Sequence, residues 1–366
     1  MKKAVAFVVS LLALAALADW IVLLRAPIDP WRLAALLACL SLVLGAFAAL
    51  TDPGFVDQLR AWAHRSMGAA LGMPLLLLVP YLIFALGTDT FSLRGLTKLT
   101  AYIVAPVLLL LPDRLDRAAP GGHRTCPERS EGPPLQAIGW RDFAAMLALA
   151  VPVPAHWLRG IWMWPEDLYF FRPLYSVCVG AYGFMVIRRL EGVGYRLTFR
   201  RTDVAGGFGH FVGFALLAIP LGYLLRFIHF HGHAVTSMAL ASQASSADHA
   251  IAVPGELRLA LEFLATFAGI YVTIAIPEEF LFRGVLQNLL VKSIPHDERR
   301  ELWGLLIASV IFGASHLHHP PVPNWRYGIL ATLAGIFYGN VYRTRRRLSA
   351  SAFTHALVDT AWRFWF

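Results

Sequence analysis

Apolar residues in this chain fall in long blocks separated by short charged or Pro/Gly-rich breaks, and they do not alternate with polar positions. A block of about 18 or more apolar residues can cross a ~30 Å hydrocarbon core as a helix rising 1.5 Å per residue. Eleven candidate spans are read on this basis, near 4–24, 31–51, 67–87, 96–112, 142–158, 173–187, 207–229, 258–291, 302–318, 327–342 and 349–366. Inside hydrocarbon every backbone N–H and C=O needs an internal partner, so each span is predicted to be helical. No segment shows the period of a barrel strand. The expected fold is all-α, a polytopic transmembrane bundle of about 10–11 spans.

Composition sharpens this picture. The 366 residues are 57% hydrophobic and 15% charged, against roughly 25% charged in soluble proteins. A net charge of +9 fits basic cytoplasmic loops better than nucleic-acid binding, and nucleic acid is not expected as a partner. Lys and Arg fall about two to one on the side that carries Lys2 and Lys3, which predicts a cytoplasmic N-terminus. The expected setting is the plasma membrane of a bacterium. Lys2, Lys3, an apolar run and Ala16-Leu17-Ala18 resemble a cleavable signal peptide. The run resumes at Ile21, however, so an uncut first span is favoured.

Residues 1–204 are expected to form N-terminal membrane helices of unknown role, and 205–366 a separate core. The Pro-, Gly- and charge-rich stretch 113–141 is expected to be disordered. Residues 232–256 read as an external loop with a short surface helix. Cys39 and Cys178 lie in apolar blocks and Cys126 in a polar loop, without C-x-x-C spacing, so neither a zinc knuckle nor a disulfide framework is indicated.

An ionisable residue at mid-bilayer costs at least about 2.5–3.5 kcal/mol, so each one is a candidate for function. They gather in the last four spans. Pro277-Glu278-Glu279-Phe280-Leu281-Phe282-Arg283 sits in apolar surroundings. Pro277 suits a first helical position, and acids suit a first turn. That predicts two helical pieces, 258–276 and 278–291, broken within the membrane. Glu279 and Arg283 can pair at i, i+4, while Glu278 points about 100° away. A structural ion pair with a bystander acid is the competing reading. Phe312-Gly313-Ala314-Ser315-His316 closes another apolar helix, where a lone histidine is more often a packing residue. His355 and Asp359 share a helix face, which suits two ligands, two oxyanion donors, a carboxylate orienting an imidazole, or a plain helix-stabilising pair.

Depth brings these groups together. Glu278 lies ~20 Å from the cytoplasmic end of its helix, His316 ~21 Å, His355 ~12 Å and Asp359 ~18 Å. Gly335 and Gly339, a small-xxx-small pair on the intervening span, predict close helix packing.

Glu278-Glu279-x-x-x-Arg283, Phe312-x-x-x-His316 and His355-x-x-x-Asp359, in that order on successive helices, resemble the three motifs of the CPBP family. This is a family of intramembrane endopeptidases that includes the type II CAAX prenyl endopeptidases and bacteriocin-processing relatives. The resemblance covers roughly 205–366. It implies that Glu278, assisted by His316, activates water, and that Glu279 is a supporting acid held by Arg283. His355 and Asp359 would then occupy the oxyanion-stabilising positions. Asp359 stands where Asn is common in the prenyl-protein enzymes, and an ionised Asp cannot donate a hydrogen bond. It is left to be protonated, to orient His355 or to bind a metal. No His-Glu-x-x-His occurs. A metal-free site is favoured because Arg283 beside the acids opposes a cation. If zinc were bound, Glu278, His316 and His355 would be its ligands. The expected partners are a membrane-associated protein or peptide substrate and the lipid bilayer. The alternative reading is a non-catalytic, transporter-like or scaffolding membrane protein with buried charges.

Overall fold

The computed structural model describes residues 29–111, 138–231, 255–295 and 297–366, and all regular structure among them is helical. The expectations for 4–24, most of 113–141, most of 232–256 and Cys126 lie outside the described residues. Five helices are long and apolar enough to cross a membrane: Pro30–Ala49, Met67–Gly87, Leu93–Leu110, Arg201–Leu224 and Leu259–Ser293. The chain is a polytopic helical membrane protein.

The chain divides into two compact units. The first takes the residues up to Leu197 together with Gly284–Arg300. Its helices are α1 (Pro30–Ala49), α2 (Pro53–Ala63), α3 (Met67–Leu75), α4 (Leu78–Gly87), α5 (Leu93–Leu110), α6 (Trp140–Ala150) and α7 (Phe171–Ala181), which runs on as a π turn through Tyr182–Ile187. Local chemistry sets the starts. Asp52, before Pro53, accepts from Gly54 N at 2.9 Å and so turns an expected loop into the short helix α2. Ser66 and Ser92 cap α3 and α5 in the same way. The expected span 142–158 stops at Ala150 instead and continues as turns. Pro152 and Pro154 supply no N–H to continue it.

Tyrosine hydroxyls take up carbonyls that the helices leave unused. Pro74, inside α3, cannot bond the Ala70 carbonyl, and Tyr182 Oη donates to that oxygen at 2.7 Å. Tyr175 donates to Leu77 O at the α3–α4 break, Tyr195 to Phe47 O, and Tyr102 to Leu149 O. Without water in the bilayer core each of these carbonyls would otherwise cost free energy. Cys39 and Cys178 are buried and free, packed as small apolar side chains.

The second unit takes Thr198–Arg283 and Glu301–Phe366. It contains α8 (Arg201–Leu224), most of α9, α10 (Arg300–Ala314), α11 (Trp325–Arg345) and α12 (Leu348–Trp365). The α9 helix runs from Gly255 to Ser293 with π turns at Tyr271–Ala275 and Phe280–Gln287. The predicted break at Pro277 is therefore absent. The Thr273 carbonyl, four residues before Pro277, falls in the first π turn, whose wider winding accommodates the ring and its missing N–H.

Asp203, in the first turn of α8, accepts from Arg200 N at 3.0 Å and from Arg347 Nε at 2.8 Å, tying α8 to the start of α12. Helices α10 and α11 touch almost backbone to backbone. A methyl on Gly313 would come within 2.5 Å of Gly328 O, and one on Gly335 within 3.0 Å of Ser309 Cα. Small residues thus set this interface, Gly328 and Gly335 of α11 among them. Phe214, Phe312, Leu330 and Tyr338 fill the space between α8, α10 and α11.

Candidate active site

The site lies within the second unit, where α9 faces α12 and α10. Glu278 and Glu279 are neighbours on α9, so their side chains leave the helix about 100° apart. They reach opposite edges of one imidazole. His355 Nδ1 donates to Glu279 Oε1 at 2.9 Å, and its Nε2 faces Glu278 Oε2 at 3.9 Å. Asp359, one turn further along α12, places Oδ2 3.4 Å from the same Nε2. Tyr338 covers a face of the ring, stacked at 4.6 Å and 16°. His355 therefore has a carboxylate at each nitrogen and an aromatic ring against its face.

The two glutamates have different surroundings. Glu279 is fully buried and its oxygens are occupied, Oε1 by His355 and Oε2 by Arg283 Nε at 3.1 Å and by the Ser351 hydroxyl. Arg283 is equally buried. Its guanidinium lies over Phe312 at 4.7 Å and near the rings of Tyr338 and Phe282, and none of its N–H groups aligns for a hydrogen bond. It is held by charge and by ring faces; a desolvated cation–π contact is worth about 2 kcal/mol. Glu278 differs: its side chain is 35% exposed, yet Oε2 is buried and has no hydrogen-bond partner. Asp359 is 27% exposed and His355 4%. A molecule entering the site would meet Glu278 and Asp359 before it met Glu279 or Arg283.

His316 stands beside this cluster. Its Nδ1 bonds Phe312 O at 2.7 Å, which leaves Nε2 as the free nitrogen. Its ring packs on Phe312 at 4.7 Å, and His355 meets the same ring edge-on at 6.0 Å. The structure thus brings Glu278, Glu279, Arg283, His355 and Asp359 into one cluster, with His316 next to it, sharing contact with Phe312.

Ser351 and Tyr338 were not among the candidates read from sequence. Ser351 bonds both Glu279 and Tyr338 O, the latter at 2.8 Å. A signal for it existed, because Ser351, His355 and Asp359 recur every four residues and so line one face of α12. Among the described residues, no three His, Cys, Asp or Glu side chains stand in a metal-binding arrangement.

Residues 260–361, which hold every group described above, match the family model of the Rce1-like type II CAAX prenyl endopeptidases. The matched segment is 102 of the 366 residues, so the likeness is one of the C-terminal helices to this family. No curated protein and no solved structure gives a match. The family that this segment resembles consists of peptidases, hydrolases of peptide bonds. The match begins within α9 and ends two residues past Asp359. The Rce1-like segment is thus confined to α9–α12, and the match leaves α1–α8 outside it.

Proposed function

We propose that the protein hydrolyses a peptide bond of a membrane-associated protein or peptide, using water activated by Glu278 and His316. The observation that carries this reading is the unspent valence at Glu278. Its Oε2 is buried without a hydrogen-bond partner, while the rest of the side chain is 35% exposed, so a water can approach the carboxylate from its open edge. Next to it His355, with carboxylates at both nitrogens, supplies the positive charge that a developing oxyanion needs. Asp359 in this scheme orients His355 and does not donate. Glu279, Arg283 and Ser351 fix the Nδ1 side of His355, so only its Nε2 edge faces the reacting atoms.

The water is activated without a tightly bound metal in this reading. The carboxylates already have cationic partners in Arg283 and His355, and both oxygens of Glu279 already face a donor. The family description points to C-terminal peptides of prenylated proteins as one substrate class. The arginine distribution supports a cytoplasmic N-terminus, and a bacterial plasma membrane is the proposed setting.

The test uses the purified full chain in liposomes with internally quenched peptides, one carrying a farnesylated cysteine four residues from its C-terminus and one unmodified. Cleavage that persists after chelation, with no stoichiometric metal in the protein, is expected. Loss of turnover on chelation, restored by zinc, would overturn the metal-free version and assign Glu278, His316 and His355 as ligands. Absence of hydrolysis of both peptides, with tight binding retained, would favour the binding-protein alternative.

A further inference from the structure

The proposed reaction gives His355 the charge that faces the oxyanion and leaves room for a second, neutral donor. Attack of water on the scissile carbonyl moves the C=O π pair onto oxygen, and that oxyanion needs a hydrogen-bond donor at short range. The cluster is rich in acceptors and poor in free donors. Glu278 and Asp359 accept only when ionised. His355 Nδ1–H is taken by Glu279, so Nε2, 3.4 Å from Asp359 Oδ2, is the one edge it offers to the reacting atoms. Arg283 is buried behind Glu279 and three rings. Neutral His316 carries its proton on Nδ1, bonded to Phe312 O, so Nε2 is a base and not a donor.

Resting on the peptidase reading above, we infer that Tyr327 is a further catalytic residue, its hydroxyl donating a hydrogen bond to the oxyanion. Tyr327 lies in the first turn of α11, where Asn324 caps its backbone N–H at 3.1 Å. The ring is fixed on several sides. It stands edge-on to His316 at 4.8 Å, and it meets Trp362 at 5.2 Å and Phe227 at 5.4 Å. Trp362 lies one turn beyond Asp359 on α12, which puts Tyr327 one turn from Asp359 along that helix. The side chain is partly exposed, and no described residue hydrogen-bonds its hydroxyl. The phenol therefore combines a locked ring with an uncommitted O–H, beside His316, one of the two groups proposed to act on water.

The step balances without any further reagent. One water proton passes to Glu278 or His316 as the new C–O bond forms, and Tyr327 O–H bonds the resulting oxyanion without losing its proton. Collapse restores C=O and breaks the C–N bond, and the departing amine takes the proton held by Glu278 or His316. A phenol is a neutral donor, so it adds no negative charge to a site that already holds three carboxylates.

Tyr327→Phe keeps the ring contacts and removes only the hydroxyl. The expected result, with the farnesylated quenched peptide in liposomes, is a fall in kcat of about 10²- to 10³-fold at unchanged KM and unchanged Tm. A phosphinate isostere of the same peptide, which mimics the tetrahedral intermediate, should bind the variant more weakly by a similar factor, while the parent peptide binds equally well. Wild-type kcat in Tyr327→Phe, or a change confined to KM, would overturn the assignment and leave the peptidase reading standing. A wild-type chain that hydrolyses neither peptide would overturn both.

Discussion

Two buried carboxylate–arginine pairs, one in each unit, look alike by burial and differ in what surrounds them. In the first unit Asp142 and Arg188 are 0% and 1% exposed. Asp142 spends both oxygens: Oδ2 accepts from Gly139 N at 2.9 Å and from Arg188 Nη2 at 3.1 Å, and Oδ1 from Arg188 Nε. The result is a two-pronged guanidinium–carboxylate contact that also caps α6. Glu279 and Arg283 in the second unit are both 0% exposed. There, however, the carboxylate shares its charge with His355 and Ser351, and the next residue, Glu278, keeps an oxygen without a partner. Burial of charge alone therefore does not mark chemistry. The mark is unsatisfied capacity beside the pair, on a side chain that a reactant can reach.

The largest effect is expected at Glu278. Glu278→Gln preserves shape and removes basicity, so peptide hydrolysis should fall by about 10²- to 10⁴-fold with Tm unchanged. Full activity in this variant would remove the reading built on that carboxylate. The matching change in the first unit, Asp142→Asn, should behave in the opposite way. It leaves Arg188 buried without its counter-charge, which costs about 3–5 kcal/mol. Thermal unfolding in detergent should register that loss, while kcat per folded molecule stays at the wild-type value. A catalytic defect at constant Tm would break the contrast between the two pairs.

Smaller changes sharpen the comparison. Ser351→Ala removes a hydrogen bond to an ionised carboxylate, worth about 1.5–3 kcal/mol. Because Ser351 acts through Glu279 on His355, the loss should fall in kcat more than in KM, and Ser351→Thr should restore it. A drop in Tm alone would make Ser351 a packing residue. Smallest is Tyr182→Phe in the first unit, which leaves the Ala70 carbonyl beside Pro74 without its donor. An unmade buried hydrogen bond costs about 1–3 kcal/mol, to be read as a lower Tm at unchanged turnover.

How much of this was legible varies by element. The five apolar runs long enough to cross a membrane coincide with expected spans, because apolar length is a local property. Helix α2 was missed although Asp52-Pro53 is a readable start, since its charged residues placed it in a loop. The span expected over 142–158 was too long because hydropathy outweighed Pro152 and Pro154. At Pro277 the error ran the other way. A proline ends a helix by geometry, but neighbouring π turns can absorb it, and those depend on packing. The residues around His355 could be named from their spacing, whereas the i, i+4 spacing that puts Ser351 on the same face does not reveal its partner Glu279, 72 positions away.

The sequence by itself determined that this is a helical membrane protein and that its ionisable groups concentrate in the last helices. Both follow from the cost of exposing polar groups to hydrocarbon, which acts residue by residue. Only the tertiary structure decided which acid is spent and which is free. Glu278 and Glu279 are chemically identical neighbours in the chain. They differ because α12 brings Ser351 and His355, from more than 70 residues away, onto the oxygens of Glu279, leaving one oxygen of Glu278 without a partner.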